Sequence, residues 1–420
     1  MKVGIIGSGG REHALCNSIK KSGKVEEIFC MPGNAGTHTI ATNVNIDINN
    51  FELLKDFIIK NNIDIVVIGP EKPLVEGIVD YLEENKIKVF GPNKLASKLE
   101  GSKIFTKNIC KKYNIPTANY GVFKNSHEAL IFLNQCKFPL VVKADGLAAG
   151  KGVYICETNE QADQAVKEIF NGKFGQADEI LIEEFLKGEE MSFFVISDGK
   201  NIKKFGTAQD HKRVGEGDKG LNTGGMGAYS PSRLENHGLD EKILNKIIKP
   251  TLKALEDMNT KFKGFLYAGL MIVDGEPYLI EYNVRMGDPE CQTILPRLKT
   301  NFFKIIEAVI NEKLDKINLD WYDGKSLSIV LCSNGYPESY ENNKEIINLD
   351  KIKLSENEFI FHAGTIIDNS KIISNGGRVL NFVAKSENFK RCREIVIDLI
   401  KKINWKNGFY RKDIGFKVID

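Results

Sequence analysis

Pro277-Tyr-Leu-Ile-Glu281-Tyr-Asn283-Val-Arg285-Met-Gly-Asp-Pro-Glu290 runs from an apolar stretch into a carboxylate, an amide and a guanidinium on alternate residues. In a strand over residues 277–285 the side chains alternate between faces, so Glu281, Asn283 and Arg285 share one. Two oxygen donors can hold a hard cation such as Mg²⁺, which keeps waters and shares phosphate oxygens, while a guanidinium offers forked donors to those same oxygens. The face suits a metal-bound polyphosphate. Taken alone, it also fits a solvated edge strand with a surface ion pair, so the rest of the chain must decide.

At 420 residues the chain exceeds one ordinary core, and about two to four domains are expected. Charged residues at 27% and apolar ones at 42% are the mix of a soluble globular protein. A net charge of +2, with both signs interspersed, leaves no electrostatic footprint for nucleic acid, so an anion is expected in a pocket. The eight cysteines (16, 30, 110, 136, 156, 291, 332, 392) contain no C-x-x-C pair and read as reduced thiols of a cytoplasmic protein. With no signal-peptide pattern at the start and no apolar run of about 18 residues, the expectation is a chain neither secreted nor membrane-bound.

Over the first hundred residues short apolar strands alternate with helices, the pattern of a parallel α/β sheet. Strands are expected at 2–6, 27–31, 63–68 and 88–90, with helices at 11–20, 50–61 and 73–85. The loops Gly7-Ser-Gly9-Gly10, Pro32-Gly-Asn-Ala-Gly36, Gly69-Pro-Glu71 and Gly91-Pro-Asn93 all follow strands, where open α/β sheets bind ligands. Gly7-x-Gly9 is not a dinucleotide fingerprint. Glu12 stands at its third glycine position, and no acid follows the second strand to hold a ribose. Its backbone N–H groups can still cradle a phosphate at a helix N-terminus, with tight turns needed only for packing as the competing explanation.

From residue 99 the texture changes. Ser102 is an expected N-cap for a helix over 103–113, and Ile115-Pro-Thr-Ala118 reads as a hinge. Phe138-Pro-Leu-Val-Val-Lys143-Ala-Asp-Gly146-Leu-Ala-Ala-Gly150-Lys151-Gly152 is a strand carrying Lys143, then a small-residue loop carrying Lys151. It is either a phosphate-covering loop or a hairpin with solvated lysines. It lacks the Ser/Thr of a Walker A loop. Further on, Glu179-Ile-Leu-Ile-Glu183-Glu184-Phe185-Leu186-Lys-Gly-Glu-Glu190 runs a strand into a turn whose backbone can read a base edge, with Glu190 placed to accept from ribose hydroxyls.

In order and spacing, Lys103, Lys143, the glycine loop, Glu183-Glu-Phe-Leu186, Glu190 and Glu281-x-Asn283-x-Arg285 resemble the ATP-grasp superfamily, in which two α+β subdomains close on ATP. The whole chain is similar to the glycinamide ribonucleotide synthetases. That similarity is carried by Val3-Gly-Ile-Ile-Gly7-Ser-Gly-Gly-Arg-Glu-His13, Glu100-Gly-Ser-Lys103, Gln209-Asp-His-Lys-Arg213, Asn222-Thr-Gly-Gly-Met-Gly227, Gly287-Asp-Pro-Glu290, Phe361-His-Ala-Gly-Thr365, Gly376-Gly-Arg378 and Arg411-Lys-Asp-Ile-Gly415.

The resemblance implies a multidomain α/β and α+β chain. Its parts are an N-terminal parallel α/β domain (1–102), an ATP-grasp domain (103–324) with a mobile lid near 122–187, and a small C-terminal α+β domain (325–420). It implies that ATP, glycine and 5-phosphoribosylamine give ADP, phosphate and glycinamide ribonucleotide through glycyl phosphate. Glu281 and Asn283 should then ligate Mg²⁺ or Mn²⁺, and Arg285 should stabilise the transferring phosphoryl group. Lys103 and Lys143 should touch phosphates, with Gly150 and Lys151 closing over them. Glu183, Glu184 and Leu186 should line the adenine beside Phe185, with Glu190 on the ribose. A further metal-binding acid expected near residues 269–271 is absent. A monomer is expected, meeting the enzyme that supplies phosphoribosylamine only transiently.

The smaller substrates are less marked. Asp210 can pair with an ammonium and Gly225 offers its amide to a carboxylate, or both belong to a structural turn. Gly9, Gly10 and Glu71 are candidates for ribosylamine contacts. Asp288 either touches substrate or, with Glu290, orients Arg285, and Arg378 is either a phosphate contact or packing. His13 and His211 are open between general base and structural roles. Two other functions compete. Another ATP-grasp carboxylate–amine ligase would turn over without glycine, and a non-catalytic nucleotide binder would lack the charged phosphate groups.

Overall fold

The computed structural model describes residues 1–147, 152–175 and 177–419. Its first hundred residues build a five-stranded parallel sheet centred on Lys2–Gly7. Glu27–Pro32 and Thr42–Asn43 lie on one side of it, Ile65–Ile68 and Lys88–Phe90 on the other. Val3, Ile5, Ile6, Val66 and Val67 are buried, as expected of parallel strands covered on both faces. The helix expected over 73–85 is two, Glu71–Glu76 and Ile78–Glu84. Gly77 takes φ 97° and ends the first of them, a conformation open to glycine at low cost. Helix Lys94–Gly101, which the sequence reading left out, precedes Lys103–Lys112.

A four-stranded antiparallel sheet follows, ordered Tyr120–Phe123, Ile180–Glu184, Leu140–Ala144, Val153–Cys156. Helices Ser126–Leu133 and Asn159–Phe170 pack on it and give it a small core of its own, including Leu133, Val142, Val166 and Ile182. The third sheet is larger and antiparallel. Its order is Glu276–Asn283, Lys263–Val273, Glu189–Asp198, Ile202–Asp210, Gly227–Ser230, Lys325–Ser333, Arg378–Ser386, Glu358–His362, with Gly408–Phe409 paired to Lys325–Ser333. Because Gly227–Ser230 pairs with Lys325–Ser333, the sheet passes residue 324 without a break.

The motif strand ends at Asn283, so Arg285 lies beyond it rather than within it. Its register against Lys263–Val273 slips between Gly269↔Glu281 and Leu270↔Leu279, which leaves Ile280 as an extra residue. This bulge decides the chemistry of the face. Leu279, Tyr282 and Val284 are buried in the core, and Glu281 and Asn283 turn the other way. In an unbroken strand Glu281 would share its face with Leu279. Among the described residues no helix is long and apolar enough to cross a membrane.

Candidate active site

Glu281 lines a small cavity with Glu190, Ser192, Asp210, Lys212, Tyr267 and Gly269. Burial works to raise its carboxyl, but Lys212, Lys103, Lys143 and Arg285 outweigh burial and hold it below its ordinary value. An ionised carboxylate beside the Asn283 amide is the donor chemistry a hard divalent cation takes while keeping several waters. Among the described residues no group of three or more His, Cys, Asp or Glu side chains is placed to hold a metal, and Gly269, opposite Glu281, offers no acid.

Two lysines reach this region from different elements. Ser102 caps helix Lys103–Lys112 by accepting from Phe105 N at 3.0 Å. Asp145 accepts from Ser102 Oγ at 3.0 Å and from Ile104 N at 3.2 Å, tying that helix start to the loop after strand Leu140–Ala144. Lys103 Nζ donates to Gly146 O at 2.9 Å. Lys143 Nζ lies 2.8 Å from Glu183 Oε2, and Lys107 Nζ lies 3.1 Å from Glu183 Oε1. All three of these side chains are buried. The Glu183 carboxylate is therefore taken up by two lysines, and burial lowers Lys107 and Lys103. Glu183→Gln leaves two buried ammoniums facing each other, and a loss of about 3 kcal/mol in stability is expected, read by denaturant unfolding. Unchanged stability would mean that the pair does not need its anion.

Residues 185–188 join strand Ile180–Glu184 of the four-stranded sheet to Glu189–Asp198 of the large one. Glu184 accepts from Asn119 N at 2.9 Å, Phe185 is 37% exposed, and Leu186 is half-buried. Glu190 is exposed and pairs with Lys212 Nζ at 3.2 Å. Gly150 and Lys151 fall outside the described residues.

Arg285 is held on several sides. Nη2 donates to Glu100 Oε1 at 2.7 Å, Nη1 donates to Met286 O at 3.2 Å, and Nε lies 3.2 Å from Glu71 Oε2. Arg285, foremost, and Arg11 bring Glu71 down to about 2 against the effect of burial. Glu71 thus sits on Arg285.

A second cavity of about 780 Å³ gathers Gly9, Asn34, Asp288, Tyr336, Thr365 and Arg378 from loops and strand ends of all three chain regions. Arg378 Nη1 donates to Asp288 O at 2.6 Å and to Gly224 O at 2.7 Å. Gly10 does not line it. A Cβ there would stand 2.5 Å from Asn381 Nδ2 and 2.6 Å from Gln292 Nε2, so this glycine serves a close packing contact. Gly225, at φ 116°, approaches Pro289 and Asp210 just as closely. Asp210 Oδ1 is buried without a hydrogen-bond partner among the described residues. Burial, and then the neighbouring Glu290 carboxylate, push Asp210 well up. Asp210 is thus a buried acid beside a second acid, with one oxygen unpartnered among the described residues.

The sequence reading assigned no part to Glu100, Lys107 or Lys212. Lys107 stands four residues after Lys103 on one helix face, a spacing that announces it. The other two lie inside quoted motifs and acquire partners only through folding. His13 Nδ1 accepts from His362 N at 2.9 Å, and His211 Nε2 accepts from Gly415 N at 3.2 Å. Both rings are buried and tie chain segments together, and burial lowers them to about 3 and about 4.

The phosphoribosylglycinamide synthetase family matches the chain in three parts: its N domain over residues 1–100, its ATP-grasp (A) domain over 101–291 and its C domain over 326–417. A phosphoribosylamine–glycine ligase of Agrobacterium fabrum is 46% identical over 420 residues, covering 100% of this chain and 99% of its own. One of Caldanaerobacter subterraneus subsp. tengcongensis is 46% identical over 423 residues, with 99% of each covered. The crystal structure of the Thermotoga maritima phosphoribosylamine–glycine ligase superposes with a TM-score of 0.85 at 33% identity, covering 99% of this chain and 100% of that one.

Proposed function

The chain belongs to the phosphoribosylglycinamide synthetase family and is an ATP-dependent ligase joining glycine to phosphoribosylamine; we propose that its reaction centre is the face of Glu281, Asn283 and Arg285. The observation that carries this reading is the Glu281 carboxylate kept ionised among Lys212, Lys103, Lys143 and Arg285. Glycine's carboxylate is a poor electrophile, because amine attack would have to expel oxide. Transfer of the γ-phosphoryl group to it gives glycyl phosphate. The ribosylamine nitrogen then bonds to the carbonyl carbon, the C–O bond to phosphate breaks, and the nitrogen loses a proton. Positioning and charge neutralisation carry such a reaction, and no Ser or Cys nucleophile is needed.

Glu281 and Asn283 would hold Mg²⁺ or Mn²⁺, which when bound neutralises β- and γ-phosphate charge. Lys103 and Lys143 contact the phosphates, and Gly150 and Lys151, outside the described residues, are assigned to the same phosphates by the family pattern. Glu183 holds Lys143 in place, while Glu184, Phe185 and Leu186 line the base and Glu190 meets the ribose. Asp210 with Glu290 takes the glycine ammonium; the Gly225 amide, expected from the sequence to meet the carboxylate, instead donates to Thr223 Oγ1 at 3.0 Å within its own turn. Phosphoribosylamine occupies the 780 Å³ cavity, against Gly9, Asp288 and Arg378. Gly10 and Glu71 act from behind, by packing and by holding Arg285. We set the unit boundaries at 102/103 and 324/325 with the lid over 122–187; the separate core of the four-stranded sheet supports the lid, while the large sheet runs on across 324/325. The eight free cysteines support a cytoplasmic protein, and we propose a monomer that meets its amine-supplying enzyme transiently.

Asp210→Asn is expected to raise KM for glycine by about tenfold or more while KM for ATP stays within about threefold, in steady-state ADP release. A glycine KM at the wild-type value would remove Asp210 from the ammonium site.

A further inference from the structure

Glu100 has no part in the chemistry described so far, yet both its oxygens are committed at the reaction centre. Oε1 accepts from Arg285 Nη2 at 2.7 Å, and Oε2 accepts from the backbone Val284 N at 2.8 Å. One carboxylate thus fixes the guanidinium and the peptide that carries it. It does so from helix Lys94–Gly101, directly before the helix that starts at Lys103. Its side chain is 6% exposed, so the contact is made away from bulk water, where a charge-assisted hydrogen bond is strong.

A guanidinium has five N–H donors. In Arg285 one goes to Glu100 and one to Met286 O, and Nε faces Glu71. The second hydrogens on Nη1 and Nη2 remain for an anion. Arg285 is therefore immobilised without being used up, which a preorganised donor to a transferring phosphoryl group requires. The two holds differ. The Glu100 side chain is buried and bonded twice, whereas that of Glu71 is 31% exposed and also lies 4.0 Å from Arg11 Nη1.

We propose that Glu100 is a positioning residue for catalysis, fixing Arg285 and the Val284 peptide in the geometry that phosphoryl transfer needs. This rests on Arg285 acting at the phosphoryl group. Burial raises Glu100, and the Arg285 charge is the largest influence opposing it.

The test compares wild type, Glu100→Gln, Arg285→Lys and the double variant. Glycine-dependent ADP formation and unfolding temperature are measured for each, and Glu100→Asp is made as a second single variant. Glu100→Gln keeps an oxygen for the Val284 N–H and loses only the charge. We expect kcat to fall about 100-fold with KM for ATP and glycine within about threefold, and Glu100→Asp to recover part of the rate. The double variant should be about as slow as Arg285→Lys alone, because the two residues act as one unit. Fold losses that multiply in the double variant would overturn the proposal, as would a wild-type kcat in Glu100→Gln. Loss of glycine dependence in the wild-type enzyme would instead contradict the underlying ligase reading. Unaltered kcat in Arg285→Lys would remove Arg285, and with it the reason for a positioning residue.

Discussion

Glu281→Ala is expected to reduce turnover at least about 1,000-fold in an enzyme that remains folded. The carboxylate lies on the site face because of the bulge at Ile280, where it lines the small cavity with Lys212 and is held below its ordinary value by Lys212, Lys103, Lys143 and Arg285 against burial. Losing it removes no packing contact in the cluster around Leu279 and Tyr282, so the unfolding temperature should stay within a few degrees. The rate should not return at saturating Mg²⁺ or Mn²⁺. With Gly269 opposite, and no group of three or more His, Cys, Asp or Glu side chains placed to hold a metal among the described residues, the lost ligand is not expected to be replaced. Asn283→Ala should be milder, since a neutral amide contributes less to binding a divalent cation than an ionised carboxylate. Substantial activity of Glu281→Ala at saturating metal would refute its assignment as a metal ligand.

Arg285→Ala carries the second large effect, and here rate and stability fall together. Removal of a preorganised donor to developing charge costs about 100- to 1,000-fold in kcat. It also strands Glu100, a buried carboxylate whose main counter-charge is Arg285, and deprives Glu71 of the charge that brings it down to about 2. A buried carboxylate that loses its partner is destabilising by about 3 kcal/mol or more. Arg285→Lys separates the two consequences. An ammonium restores the charge and much of the stability, but it cannot offer forked donors to Glu100, Met286 O and a phosphoryl oxygen at once. Stability near wild type with kcat still down about 100-fold is the expected outcome, read by denaturant titration and steady-state ADP release. Wild-type kcat in Arg285→Lys would exclude a directional part for the guanidinium.

Much of this was legible along the chain. Strands 2–6, 27–31 and 88–90 and the Ser102 cap follow from apolar runs and local capping chemistry, and the structure places them within a residue or so of expectation. The misses have physical causes. Gly77 sits inside an apolar helical pattern, and its left-handed backbone cuts the expected helix in two. The bulge at Ile280 leaves no mark in composition, because it depends on how Lys263–Val273 pairs with the motif strand. Glu71 read as a substrate contact because it closes a loop at a strand end, and only the fold brings Arg285 against it. Glu100 carried no sign of a partner 185 residues away, a separation that tertiary packing alone can close. Gly10 resembled a phosphate cradle, whereas the space its missing side chain would fill belongs to Asn381 and Gln292.

The most direct measurement is ADP release with ATP, Mg²⁺, glycine and freshly made phosphoribosylamine, leaving out one component at a time. Glycyl phosphate formed at the Glu281–Asn283–Arg285 face and consumed by the amine predicts full turnover only when all are present, with collapse when glycine or metal is withheld. Turnover at the full rate without glycine would contradict it.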